Sequence, residues 1–213
     1  MGNRCVITWA KSEHVQGSHE LGIYLHYNGG IDTVKALLKF CELKGYASPD
    51  KDDYGYARLC QVIGNYIGGV GSVGINQCQY LDCDNWDNGT YICSGWNIEK
   101  QEFRHGVQQT GRDMEEVLLE INEKQPAIER LPEGLIRSAV LGGVPTADLK
   151  IGEKVYVQDF RGKWEVFKII GFGEDEWVNG HNVKGIPYFD KYRQGKENIN
   201  NYVLDDYAYS AEQ

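Results

Sequence analysis

The stretch "QCQYLDCDNWDNGTYIC", residues 77–93, packs three cysteines and three aspartates around one Asn-Gly pair. Asn-Gly flanked by β-favouring segments is a strong short-range hairpin signal, because both residues tolerate positive φ. The spacing therefore predicts a hairpin over 77–98, with "QYLDCD" entering and "TYICSGWNI" leaving. Asp82, Asp84 and Asp87 would crowd its turn. Calcium fits poorly. Counted from Asp82, an EF-hand loop would put Trp86 at its third ligand position and Cys93 where a bidentate Glu belongs.

Zinc is compatible with a hairpin. Cys78 and Cys83 are separated by four residues, as are His14 and His19. Those spacings let two thiolates and two imidazoles meet one tetrahedral ion. The expected ligands are His14, His19, Cys78 and Cys83, holding a structural zinc. Cys5, Cys60 and His26 are alternative partners. Without metal, the four residues read as two loop cysteines and two solvated histidines.

Outward from this stretch, "RCVITWA" (4–10) and "LGIYLHYN" (21–28) read as strands. In "IDTVKALLKFCELKG" (31–45), Val34, Leu37, Leu38 and Cys41 repeat at i, i+3, i+4, i+7, one face of a helix. Tyr56, Leu59, Cys60 and Ile63 repeat that spacing in a second helix ended by Gly68-Gly69. Met114, Val117, Leu118 and Ile121 give a third, with Asp113, Glu115 and Glu116 at its positive end. A short helix follows from Pro132. "VPTADLKIG" (144–152) reads as a linker, and the rest is strand-rich, including a hairpin around "RG" (161–162). The fold class is therefore α+β: an N-terminal mixed sheet with helices over 1–143, then a small β-rich, SH3-like module over 144–213. Trp164, Val166 and Ile169 are expected in the packing of that module.

The 213 residues are 41% hydrophobic and 25% charged, a soluble globular profile. The first ten residues lack the apolar core of a secretory signal, which implies a cytosolic protein. In that compartment six cysteines are core residues, ligands or nucleophiles rather than a disulfide framework. Net charge is −9, with the acidic excess spread over both parts. That disfavours direct binding to nucleic-acid phosphates and suits a basic protein partner. Besides Asp82, Asp84 and Asp87, the cluster Glu174, Asp175 and Glu176 is a candidate contact surface. No P-loop, no G-x-G-x-x-G after a strand, no G-x-S-x-G and no H-E-x-x-H occurs. "GGVGSVG" (68–74) lacks the Lys of a phosphate cradle. A Cys–His nucleophilic pair, Cys5 or Cys93 beside His26, has no support from spacing. No catalytic residue is expected.

"MGNRCVITWA" (1–10), "IYLHYNGG" (23–30), "YGYARLCQVIGNYIGG" (54–69) and "LDCDNWDNGTYI" (81–92) together resemble a family of phage and mobile-element proteins with GNR-x-V-I and IYLH-[WY]-NGG motifs. The resemblance covers roughly residues 1–100. The chain also resembles the type II-A anti-CRISPR proteins of streptococcal phages. That likeness implies a non-enzymatic inhibitor in the host bacterial cytoplasm, binding the type II CRISPR effector nuclease and blocking target-DNA loading. A phage accessory hydrolase and a regulatory or structural binding module are the alternatives.

Overall fold

The computed structural model describes residues 3–11, 15–69, 71–105, 111–145, 148–158, 162–172, 176–178, 181–183, 187–189 and 207–211. The fold is α+β. The chain divides into two compact units, 1–130 and 131–213.

The first unit is built on a five-stranded sheet. Its strands are β1 (Cys5–Thr8), β2 (Leu21–Leu25), β3 (Val73–Gln77), β4 (Thr90–Ser94) and β5 (Asn97–Glu102), in the order β3-β2-β1-β4-β5. β1 and β4 run parallel, with Val6 beside Thr90 and Ile7 beside Tyr91; every other pair is antiparallel. The first strand of the chain is therefore central, and all four of its residues are buried.

Alternation along β1 divides the core in two. Cys5, Ile7 and Trp9 face the helices, as do their register partners Leu25, Ile23 and Tyr91. Three helices pack there: α1 (Ile31–Leu43), α2 (Tyr54–Ile67) and α3 (Met114–Lys124), each touching the other two. Trp9 meets Tyr56 of α2 edge-on at 5.4 Å and Trp96 at 5.8 Å. The Tyr91 hydroxyl donates to the carbonyl of Gly29 at 3.1 Å.

The predicted face of α1 is buried as read: Val34, Leu37, Leu38 and Cys41 are all at most 1% exposed. On α2 the stripe is rotated, with Val62 buried and Cys60 only half-buried. α3 starts as its sequence predicts, the Asp113 carboxylate accepting from the Glu116 N–H at 3.0 Å.

Gln77 and Thr90 do not face each other across a hairpin. β3 pairs with β2, whereas β4 pairs with β1 and β5. Residues 78–89 are a crossover from the sheet's edge to its interior. The local hairpin is one turn later, β4 to β5 through Gly95.

In the second unit, α4 (Glu133–Val140) packs against β12 (Tyr207–Ser210). An antiparallel sheet runs β11-β8-β7-β12-β6, where β6 is Val144–Pro145, β7 Lys154–Gln158, β8 Trp164–Phe172 and β11 Pro187–Phe189. β9 (Glu176–Val178) and β10 (His181–Val183) form a separate antiparallel pair. The expected break at 143/144 differs from the observed division because α4 lies with the strands that follow it. A side chain at Gly134 would meet the Tyr156 hydroxyl of β7 at 2.4 Å. Ile169 is fully buried and Trp164 meets Tyr209 edge-on at 5.9 Å, but Val166 is 48% exposed. Alternation explains the difference, since Phe167 and Ile169 take the buried face. Among the described residues no helix is long and apolar enough to cross a membrane.

Phe40 is 1% exposed and Ile128 is 90% exposed. Denaturant unfolding is expected to show a loss of about 3–5 kcal/mol for Phe40→Ala and less than about 0.5 kcal/mol for Ile128→Ala.

Candidate functional site

The crossover 78–89 lies on the sheet face away from the helices. Val6, Ala10, Val15, Cys78 and Cys83 form a buried cluster there, with Tyr24, Leu81 and Ile92 packed at its margin. Backbone bonds fix both ends of the segment. The Cys78 N–H donates to Glu20, the Gln79 N–H to Ser18, and the Val6 N–H to Gly89, each at 2.9 Å.

Asn85 organises the middle. Its side chain is fully buried. The amide donates to the carbonyls of Asp82, Cys83 and Gly89 at 3.2, 3.3 and 2.8 Å. Its oxygen accepts from the N–H of Gly89 at 3.0 Å and of Asp87 at 3.3 Å. A segment whose only regular structure is one 3-10 turn at Cys78–Tyr80 must satisfy the rest of its buried backbone by other means, and one asparagine does much of that. The requirement bends the chain: Asn85 and Trp86 both have positive φ, 36° and 55°. Two such residues in succession cost on the order of 1 kcal/mol each.

That bend displays Trp86, a residue 72% exposed. It stacks on His105 with centroids 4.6 Å apart and planes at 25°. The His105 Nε2 meets the Asp84 carboxylate, and the His105 backbone N–H donates to the Asp87 carbonyl at 3.1 Å. Tyr80, on the same crossover, is 69% exposed.

The three predicted aspartates each have a local partner. Asp82 accepts from the Asn85 N–H at 2.9 Å. Asp84 holds His105. Asp87 pairs with the Arg4 guanidinium at 2.7 Å and accepts the Arg4 N–H at 3.2 Å. Burial alone would raise the Asp87 carboxyl, but the Arg4 bonds and charge outweigh it and hold it below its ordinary 3.8. Asn88 and Gly89 make no tight turn. Asn88 donates to the Arg4 carbonyl at 2.9 Å, and Gly89, at φ 66°, approaches the Glu102 carbonyl so closely that a Cβ would lie 2.1 Å from it.

Of the four expected zinc ligands, the structure brings Cys78 and Cys83 together. Both are fully buried. The Cys78 thiol donates to Thr8 Oγ1 and the Cys83 thiol to the Cys78 carbonyl, each at 3.5 Å. The neighbouring Cys83 side chain holds the Cys78 thiol lower against the opposing effect of burial, while the neighbouring Cys78 and burial both raise Cys83. His19 lies apart, its Nδ1 2.8 Å from Gln79 Nε2, and His14 is outside the described residues. Among the described residues no three His, Cys, Asp or Glu side chains are grouped to hold a metal. The cysteine pair supplies two donors where zinc takes four.

Protein-family models, characterised proteins and solved structures give no match to this chain.

Glu174 and Asp175 also lie outside the described residues, and Glu176 opens β9. Burial pushes the thiols of Cys5 and Cys93 up, the latter to about 12, so both are protonated at neutral pH. Asn85, Trp86, Arg4 and His105 are the site residues that spacing does not single out. The one available signal was composition: a tryptophan between aspartates and asparagines in a loop.

Asn85→Ala strands buried carbonyls and the Gly89 N–H. A loss of about 3 kcal/mol in unfolding free energy is expected, with hydrogen-exchange protection falling at Gly89 and Val6. The Asp87 contribution carries its own pH signature. A carboxyl lowered in the folded state stabilises above its unfolded value, and that stability is lost as pH falls through the folded value. Asp87→Asn should therefore be less stable than wild type at pH 7, and in pH-resolved melts the difference should close as pH falls below the ordinary carboxylate value of 3.8.

Proposed function

We propose that this chain is a non-enzymatic inhibitor that binds the RNA-guided nuclease of type II CRISPR systems and competes with target-DNA loading. The observation that carries this reading is Trp86, held out on a braced, acidic crossover. A large aromatic side chain kept in solvent at the expense of backbone strain has the character of a binding anchor, the residue class over-represented among interface hot spots. Because Trp86 is pre-positioned by Asn85 and His105, little ordering cost is left to the moment of binding.

The charge supports the same partner. Such nucleases hold their heteroduplex in a positively charged channel. A chain of net charge −9 is drawn toward that surface and repelled by nucleic acid itself. Asp82, Asp84 and Asp87 surround the anchor, so they would act chiefly on the encounter rate. The partner is the nuclease protein, and the site of action is the cytoplasm of the phage's bacterial host.

The test uses purified nuclease with its guide. Wild type should form a complex and protect target DNA when added before the DNA, but not after. Trp86→Ala should weaken binding at least about tenfold with an unchanged melting curve. Asp84→Lys should slow association and flatten its salt dependence. Absence of a complex, or equal inhibition in both orders of addition, would sink the reading. Zinc content, measured on the same preparation beside Cys78→Ser and His14→Ala, decides the part played by the thiol pair: one ion per chain lost in both variants makes them ligands.

A further inference from the structure

The two edges of the first unit's sheet are built differently. β5 carries Glu99, Lys100 and Glu102, and its pairing with β4 is broken by an irregularity at Ile92/Cys93. Charges and bulges are the ordinary protection of an exposed edge. β3, with the sequence Val-Gly-Ile-Asn-Gln, has neither. The absence of charge extends well beyond the strand: no Asp, Glu, Lys or Arg occurs from Leu59 to Leu81. That covers the C-terminal half of α2, which packs beside β3, and its exposed Gln61 and Gly64.

Register decides which backbone groups face outward. β3 pairs with β2 so that residue numbers across the ladder sum to a constant, as in Ile23 with Ile75. The Cys78 N–H donates to Glu20 and the His26 N–H to Ser72, both at 2.9 Å and both in that register. Ser72, Gly74, Asn76 and Cys78 therefore direct their N–H and C=O groups to β2. Val73, Ile75 and Gln77 direct theirs away from it. Among the described residues the outward groups of Val73 and Ile75 have no partner, and the Gln77 N–H is met only by its neighbour's Asn76 side chain at 2.9 Å. Ile75 is 54% exposed.

We propose that two copies of this chain pair antiparallel along β3, about a two-fold axis through Ile75. The outward positions are symmetric about that residue. Ile75 meets Ile75 of the second copy, and Val73 meets Gln77. Each is a hydrogen-bonded pair, giving about six backbone bonds once Asn76 releases the Gln77 N–H. The two half-exposed isoleucines cover each other. A copy of the same chain fits because the outward positions Val73, Ile75 and Gln77 are symmetric about Ile75 and so complement themselves. Two molecules each carrying −9 repel, and pairing through a strand that has no Asp, Glu, Lys or Arg keeps like charges out of the strand contact. An isologous contact of this kind closes at two copies. It joins the two sheets into one and leaves the edge at β5 exposed and charged.

The experiment is sedimentation of the full chain from low micromolar to several hundred micromolar, with three variants. Wild type should shift from monomer to dimer with rising concentration. Ile75→Pro removes an outward N–H that β2 does not use, a substitution an edge strand accepts. It should stay monomeric with an unchanged circular dichroism spectrum. Ile75→Lys, which sets like charges opposite each other, should stay monomeric as well. Ile75→Cys tests the register. Hydrogen-bonded antiparallel partners lie about 5.5 Å apart at Cα, within disulfide reach, so mild oxidation should give a reducible dimer. Val73→Cys, which faces Gln77, should not. A wild type that remains monomeric throughout, or a dimer that survives both Ile75→Pro and Ile75→Lys, overturns the proposal.

Discussion

One buried amide, Asn85, holds the crossover in the shape on which the first unit depends. The segment must carry the chain from the edge of the sheet to the strand beside β1 without an α-helix of its own. Most such connections between parallel strands are helical, because a helix satisfies its own backbone. Here the side chain of Asn85 supplies donors to three carbonyls and accepts two N–H groups. Remove those bonds and the polar backbone over Val6, Cys78 and Cys83 has no local partner. The strained φ angles at Asn85 and Trp86 are the cost of bringing the amide into place.

The same arrangement joins stability to display. The residues that fix the crossover, Arg4 with Asp87 and His105 with Asp84, also set the orientation of the exposed indole. None of them belongs to a recognised catalytic pattern. The face that a helix would otherwise cover is instead covered by a polar, acidic strap, and the bulk of the sheet's apolar burial falls to α1, α2 and α3 on the other side.

The helices were legible because their information is local. Val34, Leu37, Leu38 and Cys41 declare one face of α1 by spacing alone, and Asp113 marks the start of α3. The strands at 5–8 and 21–25 were legible for the same reason. Strand partners were not. Asn88-Gly89 carries the strongest turn signal in the chain, but Gly89 is glycine because the Glu102 carbonyl passes close to it and its φ is positive, conditions set by β5. Nothing near Gln77 announces that it pairs with Leu21. Cys78 and Cys83 lie side by side, since four intervening residues suffice to bring them together. Whether a pair faces ligands or a core depends on Val6, Ala10 and Val15, which are distant in sequence.

The parallel pairing of β1 with β4 sets the order in which the molecule can be completed. Residues 5–8 leave the ribosome well before residues 90–92, yet one side of that strand has no neighbour until those later residues have been made. β2 can zip onto it early, through a short connection. The second side waits for more than eighty residues of chain, and for the crossover to fold over the apolar groups of Val6 and Ala10. Contacts so far apart in sequence slow folding, because loop closure must precede the gain from pairing. During synthesis the most apolar strand of the unit is thus a half-finished sheet edge, and the helix pair α1–α2, formed in the interval, is the element positioned to shield its other face.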